Sequence, residues 1–502
     1  MPIEPLPDHP DLERLKRRAK TLRDLVRAGD DEAISLVREH HPRAHGIRAD
    51  TPEAHGFPLA DAQLSVARLH GLPSWPALRR HLDEARRLSR SPQGVAAGTG
   101  PDELLRLVAF HDATDRCVDH ERAARALEEH PRAPRHSLFA AAAFGDPSAA
   151  REFLAVDPSA ASREGGPFSW PPLLYLTYAR VDPRHLPPGS GDHLAVAKLL
   201  LHHGADPDAG FLWDGLPSPF TALTGVFGGG EQRSASHPAG LALAEVLLAA
   251  GAEANDNQTI YNRGAGDATA RDDTDFLELL LDHGLGRGDG GPWRRRLGSR
   301  HPAPEQIAAD ALQHAAEQGL PRRADLLLRR GTDPDRASAH PLYRGRSPYE
   351  GAVLHGNDEV AAMRESAGAD ISPVGPQERL VGAVLSADRP AAMLAAGDAA
   401  LLRECRRHHG DLVARAAARS RPEAVLLSVD LGFDVDALRG TTALHEAAVR
   451  GETTVVDLLL ELGADPSLLD TTHHATAAGW AHHGGHPQLA EHLEDVTGES
   501  AG

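Results

Sequence analysis

A phrase of about ten residues recurs along this chain, and a chain that repeats a short unit builds its core by stacking copies instead of closing one globule. The phrase is an apolar triplet, two variable residues, a glycine, then a small or acidic stretch. It reads LLLHHGADPD at 199–208, VLLAAGAEAN at 246–255, LLLDHGLGRG at 279–288 and LLLRRGTDPD at 326–335. It returns as MRESAGADIS at 363–372, SVDLGFDVD at 428–436 and LLLELGADPS at 458–467. The glycines are Gly204, Gly251, Gly284, Gly331, Gly368, Gly432 and Gly463, with gaps of 47, 33, 47, 37, 64 and 31 residues. That is a period near 33 residues, once doubled and twice lengthened by insertion.

Leu or Val at i, i+3 and i+4 ahead of each glycine predicts an amphipathic helix, and the glycine suits its left-handed end. Asp-Pro directly after it (Asp206-Pro207, Asp333-Pro334, Asp465-Pro466) stops the helix and begins a turn. Upstream of the last copy, Thr442-Ala443-Leu444-His445-Glu446-Ala447-Ala448 precedes Gly451, and this resembles the T-P-L-H-x-A-A…G signature of ankyrin repeats. The same spacing of seven joins Leu138 to Gly145, Leu312 to Gly319 and Tyr349 to Gly356. The resemblance implies an all-α ankyrin-repeat α-solenoid of about ten units over 136–495, of bacterial, actinobacterial type. It gives Thr442, Leu444, His445, Ala447, Ala448, Gly451 and Gly463 structural roles, with His445 tying neighbouring repeats. Phe139, Leu174, Thr221, Gln313 and Glu350 stand where His445 would be in other units, so those must be tied differently.

Residues 1–88 read as a separate helical module. Leu12, Leu15, Leu22, Leu25 and Val26 share one helical face after an Asp11 N-cap, and further helices fit 31–40, 59–70 and 75–88. Its expected task is to cap the first repeat; 89–101 reads as a linker, 102–135 as a helical lead-in and 496–502 as a tail. Arg14, Lys16, Arg17, Arg18, Lys20, Arg23 and Arg27 cover the outer face of the first helix, which is read as solvated, with nucleic acid or an acidic partner as the runner-up.

Four insertions, 180–192, 227–239, 263–274 and 285–305, fall in one central stretch, where aromatics also concentrate. Phe168, Trp170, Tyr175, Tyr178, Phe211, Trp213, Phe220, Phe227, Tyr261, Phe276 and Trp293 are eleven of the chain's 21 aromatic residues. Aligning Leu173 with Leu444 sets Tyr175 and Tyr178 at variable, groove-facing positions of a first helix. Trp170, Tyr175, Tyr178, Phe211, Trp213, Tyr261, Trp293, Arg294, Arg295 and Arg296 are therefore the candidate partner-binding residues; the competing reading is that the rings fill oversized core gaps.

Chemistry is not evident. The run Gly284, Gly286, Gly288, Gly290, Gly291 follows a helix and lacks the lysine of a phosphate loop. Arg287-Gly288-Asp289 has no role inside a cell. His482 and His486 have zinc-ligand spacing, but Gly484-Gly485 between them breaks the helix that zinc chemistry needs. No G-x-S-x-G turn occurs, and neither Cys117 nor Cys405 has a persuasive histidine partner. Two cysteines fit a reducing compartment, and no leader or apolar span is read. With 53 basic against 72 acidic residues the net charge is −19, which disfavours nucleic acid or an anionic membrane as the main target. Only Lys16, Lys20 and Lys198 are lysine, a bias that reads as GC-rich coding. The expectation is a cytoplasmic, monomeric, non-catalytic scaffold without cofactor or metal, binding an unknown protein on the concave face of its central repeats. The alternatives are a small-ligand or enzymatic site among the insertions at 180–305, or weak nucleic-acid binding by the helix at 12–27.

Overall fold

The computed structural model describes residues 6, 11–44, 46–98, 100–109, 120–229, 235–264, 272–338, 343 and 345–500. It is mostly helical and divides into two compact units, residues 1–267 with 274–308, and residues 268–273 with 309–502. Cys117 and parts of the 227–239 and 263–274 insertions lie outside the described residues.

In the first unit, the N-terminal module folds as the helices Leu12–Arg27, Asp31–His40, Pro52–His55, Leu59–Leu69 and Trp75–Leu88. The Asp11 side chain accepts from Glu13 N–H, and Leu15, Leu22, Val26, Ile34, Val37, Phe57, Val66 and Leu78 fill the module's own core. Two expectations change here. The segment read as linker opens on a strand, β1 (Ser89–Arg90), which pairs parallel to β2 (Gly210–Trp213); β2 pairs antiparallel with β3 (Pro219–Thr221). The module is also docked on mid-array segments: Ala85 and Leu88 pack with Leu212, Trp293 and Leu297 in one apolar cluster. The repeat phrase gives no hint of this sheet, because its strands lie in connections where the helical period is interrupted.

The repeats appear as helix pairs. In the first unit the first helices Leu138–Phe144, Pro172–Tyr178, Ala222–Phe227 and Asn257–Asn262 pack each on the next. So do their partners Pro147–Val156, His193–His202, Gly240–Ala249 and Asp275–Asp282. In the second unit the first helices Pro348–Leu354, Pro376–Leu385, Leu412–Ala417, Ala443–Val449 and Ala477–His483 form a similar row. An additional helix, Ala399–His408, packs against Pro376–Leu385 and buries Cys405.

One turn recurs between the helices of a pair. Gly145, Gly319, Gly356 and Gly451 have φ of 66°, 69°, 64° and 71°, a left-handed conformation that glycine adopts without strain. Ala387 and Ser420 occupy the same turn seven residues after Leu380 and Val413, with φ of 60° and 52°. These two units escape a search for glycine, although Pro422 opens the second helix as Pro147, Pro321 and Pro487 do elsewhere. The glycines closing the repeated phrase have φ between 76° and 105°. Four residues beyond them a side-chain oxygen ties one pair to the next. Asp208 accepts from Glu253 N–H (2.8 Å), Asn255 from Gly286 (2.7 Å), Asp335 from Asp370 (2.8 Å) and Asp436 from Asp465 (3.0 Å).

Candidate functional site

The aromatic candidates of the first unit converge, but inward. Trp170 stacks on Phe211 with centroids 5.0 Å apart and lies 5.5 Å from Tyr175 and 5.3 Å from Tyr178. Phe220 continues the cluster to Phe211 (5.5 Å) and Trp213 (5.3 Å). Tyr175 is 0% exposed, Tyr178 and Trp170 1% each, and Phe211, Trp213 and Trp293 are buried as well. The groove-facing placement of Tyr175 and Tyr178 is therefore corrected: both rings are core. Two glycines make the slots that receive them. A Cβ on Gly166 would stand 2.6 Å from the Tyr175 hydroxyl oxygen, and one on Gly225 would stand 2.4 Å from the Tyr178 ring.

The hydroxyls complete the fit. Tyr175 donates to Gly165 O and accepts from Phe168 N–H, both at 2.9 Å, and burial pushes its pKa above the ordinary phenol value. Tyr178 donates to Thr221 O (2.9 Å), and Trp293 Nε1–H donates to Asp208 O (3.0 Å). The remaining candidates are less buried. Tyr261 is half-buried on Asn257–Asn262. Arg294 donates to His301 O (2.9 Å), exposed Arg295 pairs with Asp289 (2.9 Å), and Arg296 lies 5.0 Å from the Trp293 ring centroid.

Sequence reasoning missed the polar ties beside the aromatics. Asp256 is buried and accepts hydrogen bonds from Thr221 and Thr224 hydroxyls and from Thr259 N–H (2.9 Å); desolvation raises its pKa. Arg180 is buried with its guanidinium given wholly to backbone carbonyls, those of Thr177 (3.0 Å), Ala179 (2.9 Å), Gly225 (2.6 Å) and Ala235 (2.7 Å). Beside it His193 and His237 meet edge to face at 4.7 Å. Burial, His193 and Arg180 together push His237 down to about 2.

In the second unit the signature residues gather around His445. His445 Nδ1 lies 2.7 Å from Thr442 Oγ1 and accepts from Thr442 N–H (3.3 Å), so Nε2 carries the proton and donates to Ala475 O in the next pair (3.0 Å). Leu444, Ala447, Ala448 and Leu459 are buried, and a Cβ on Gly451 would stand 2.6 Å from the His486 ring. His482 sits 3.6 Å from Glu494. Among the described residues no three His, Cys, Asp or Glu side chains converge as metal ligands.

The second unit also gathers arginines at the C-terminal ends of its first helices. Arg421 donates to His355 O (3.0 Å), Gly356 O (3.0 Å), Leu385 O (2.7 Å) and Asn357 Oδ1 (2.8 Å). Asn357 in turn donates to Ala316 O (2.8 Å) and Glu317 O (3.0 Å). Arg415 donates to Leu354 O, and Arg419 to Arg415 O (3.3 Å). Arg346, Arg415 and Arg419 bear on both Glu317 and His355, and burial with Arg419 and Arg415 pushes His355 down to about 2. These residues are partly open to solvent. The signal that could have found them is Ser420-Arg421-Pro422, which copies the Gly319-Leu320-Pro321 turn.

Residues 439–471 match the family model for the ankyrin repeat. No curated protein matches the chain. The chain thus contains an ankyrin repeat, a module suggestive of protein–protein interaction, and none of its described helices is long and apolar enough to cross a membrane.

Proposed function

We propose that this chain is a non-catalytic scaffold that binds a protein partner on the first-helix side of its ankyrin-type repeats. It acts as a monomer in the cytoplasm and needs no cofactor. The observation that carries the reading is the ankyrin repeat at 439–471, set in a row of first helices that pack side by side. Such a row offers a continuous surface of side chains at fixed spacing, which is how repeat proteins recognise other proteins. Of the central candidates, Tyr261, Arg294, Arg295 and Arg296 are the ones that are not buried.

Affinity capture from the native host with the full chain, read by mass spectrometry, tests the proposal. A stoichiometric protein partner is expected, with reduced recovery for Tyr261→Ala combined with Arg295→Ala. Absence of any partner, together with a melting point raised by a metabolite or nucleotide, would assign a small-ligand function instead.

A further inference from the structure

We propose that Arg346, Arg415 and Arg419 form a carboxylate-binding site that receives an acidic segment of the partner protein. This rests on the scaffold reading and names the partner's chemistry. The carbonyls at the ends of these first helices already have their donors: Asn357 serves Ala316 and Glu317, and Arg421 serves His355, Gly356 and Leu385. Arg415 and Arg419 each show one hydrogen bond to a backbone carbonyl, Leu354 O and Arg415 O. A guanidinium carries five N–H donors in a planar fork, so most of theirs remain for an anion.

The surroundings leave positive charge in excess. Glu317 is the carboxylate facing all three arginines, held by Gln313 Nε2 at 3.0 Å. Desolvation raises its pKa despite the neighbouring cations, and one carboxylate faces three guanidinium groups. Asp411 bears on Arg415, and Glu446 is taken by Arg450 at 3.0 Å. Gly351 and Gly382 lie buried on the intervening first helices and let neighbouring groups approach closely. A Cβ on Gly351 would stand 2.7 Å from Gln313 Nε2, and one on Gly382 would stand 2.6 Å from Val353 O. Planar guanidinium forks fit planar carboxylates in bidentate fashion. A long polyanion is disfavoured because the chain as a whole carries −19, so a short acidic protein segment is the occupant.

The test uses the full chain and a fluorescein-labelled peptide of alternating Glu and Ala, its Gln counterpart, and a single-stranded oligonucleotide of equal charge. Fluorescence anisotropy is expected to show salt-sensitive binding of the Glu peptide. Arg346→Gln with Arg419→Gln should weaken it on the order of tenfold or more, as the loss of charge-assisted pairs does. If the double variant loses its helical circular dichroism, Arg346→Gln alone carries the comparison. No binding of the Glu peptide, equal binding of the Gln peptide, or tighter binding of the oligonucleotide would each overturn the proposal. So would dimerisation of the wild-type chain that the double variant abolishes, since a second copy would then be the occupant. A captured host partner that binds both wild type and double variant equally would refute this site while leaving the scaffold reading intact.

Discussion

The unit at 441–470 and the region at 165–229 solve the same problem with different chemistry. Each must fasten one first helix to the start of the next. In the regular unit a single imidazole does it, with His445 bridging Thr442 to Ala475 O. In the central region Tyr178 reaches Thr221 O, and Thr221 and Thr224 in turn reach Asp256. A phenol ring is larger than an imidazole, so the central region needs Gly225 and Trp170 to enclose it. The difference teaches that a departure from the repeat signature here is a second way of joining neighbours, and that it consumes side chains which would otherwise look like an exposed binding patch.

The largest predicted effect probes that enclosure. Trp170→Ala should cost about 3–5 kcal/mol in denaturant unfolding, as truncating a fully buried large ring does; a loss below about 1 kcal/mol would mean the cluster is not core.

A second prediction uses one slot shared by both kinds of unit, four residues before the closing glycine. Leu200, Leu247, Leu280, Leu327 and Leu459 fill it with buried apolar side chains, but Arg364 occupies it in the unit ending at Gly368. Arg364 is 0% exposed, and among the described residues none of its guanidinium nitrogens has a hydrogen-bond partner. Arg364→Leu should stabilise the chain by about 1–4 kcal/mol, the range seen when buried ions give way to apolar residues. A lower melting point would show that the charge has a partner in solution.

Both units carry a histidine held neutral, His237 beside Arg180 and His193, and His355 beside Arg419 and Arg415. Their folded values near 2 lie below the ordinary 6.5, so the unfolded chain takes up protons that the folded chain refuses. Stability therefore rises with pH between those limits and is lost as pH falls below 6.5, by about 1.4 kcal/mol per pH unit for each group. Replacing either histidine by Gln should flatten the acid limb of a melting-temperature profile; an unchanged slope would place that ring in solvent.

The smallest effect distinguishes the two fasteners. His445→Ala strands Ala475 O and the Thr442 donors and should cost about 1–3 kcal/mol, whereas Tyr178→Phe keeps the ring and should cost about 1 kcal/mol. Equal losses would remove the distinction between an imidazole tie and a ring-packed one.

Much of this fold can be read from the residues. The apolar triplets, the closing glycines and the Thr442–Ala448 signature mark helices and turns directly, because each reports a local backbone requirement. Ala387 and Ser420 hide two turns because they accept a positive φ that glycine would advertise. The inward aim of Tyr175 and Tyr178 is not legible, since Gly166 and Gly225, which admit them, belong to other segments. The pairing of Ser89–Arg90 with Leu212–Trp213 joins segments more than a hundred residues apart without a periodic signal. Arg346 stands in the connection before Pro348–Leu354, and Arg415 and Arg419 on and just after Leu412–Ala417, some seventy residues later, so the arginine cluster becomes visible only when these helices are stacked.

The direct test of whether the central aromatics are core is acrylamide quenching of Trp170 as the sole tryptophan, with Trp75, Trp213, Trp293 and Trp480 replaced by Phe. With the fold verified by circular dichroism, blue-shifted emission and quenching far below that of the urea-unfolded chain are expected. Emission and quenching equal to the unfolded chain would contradict a core placement and return the aromatics to an exposed surface.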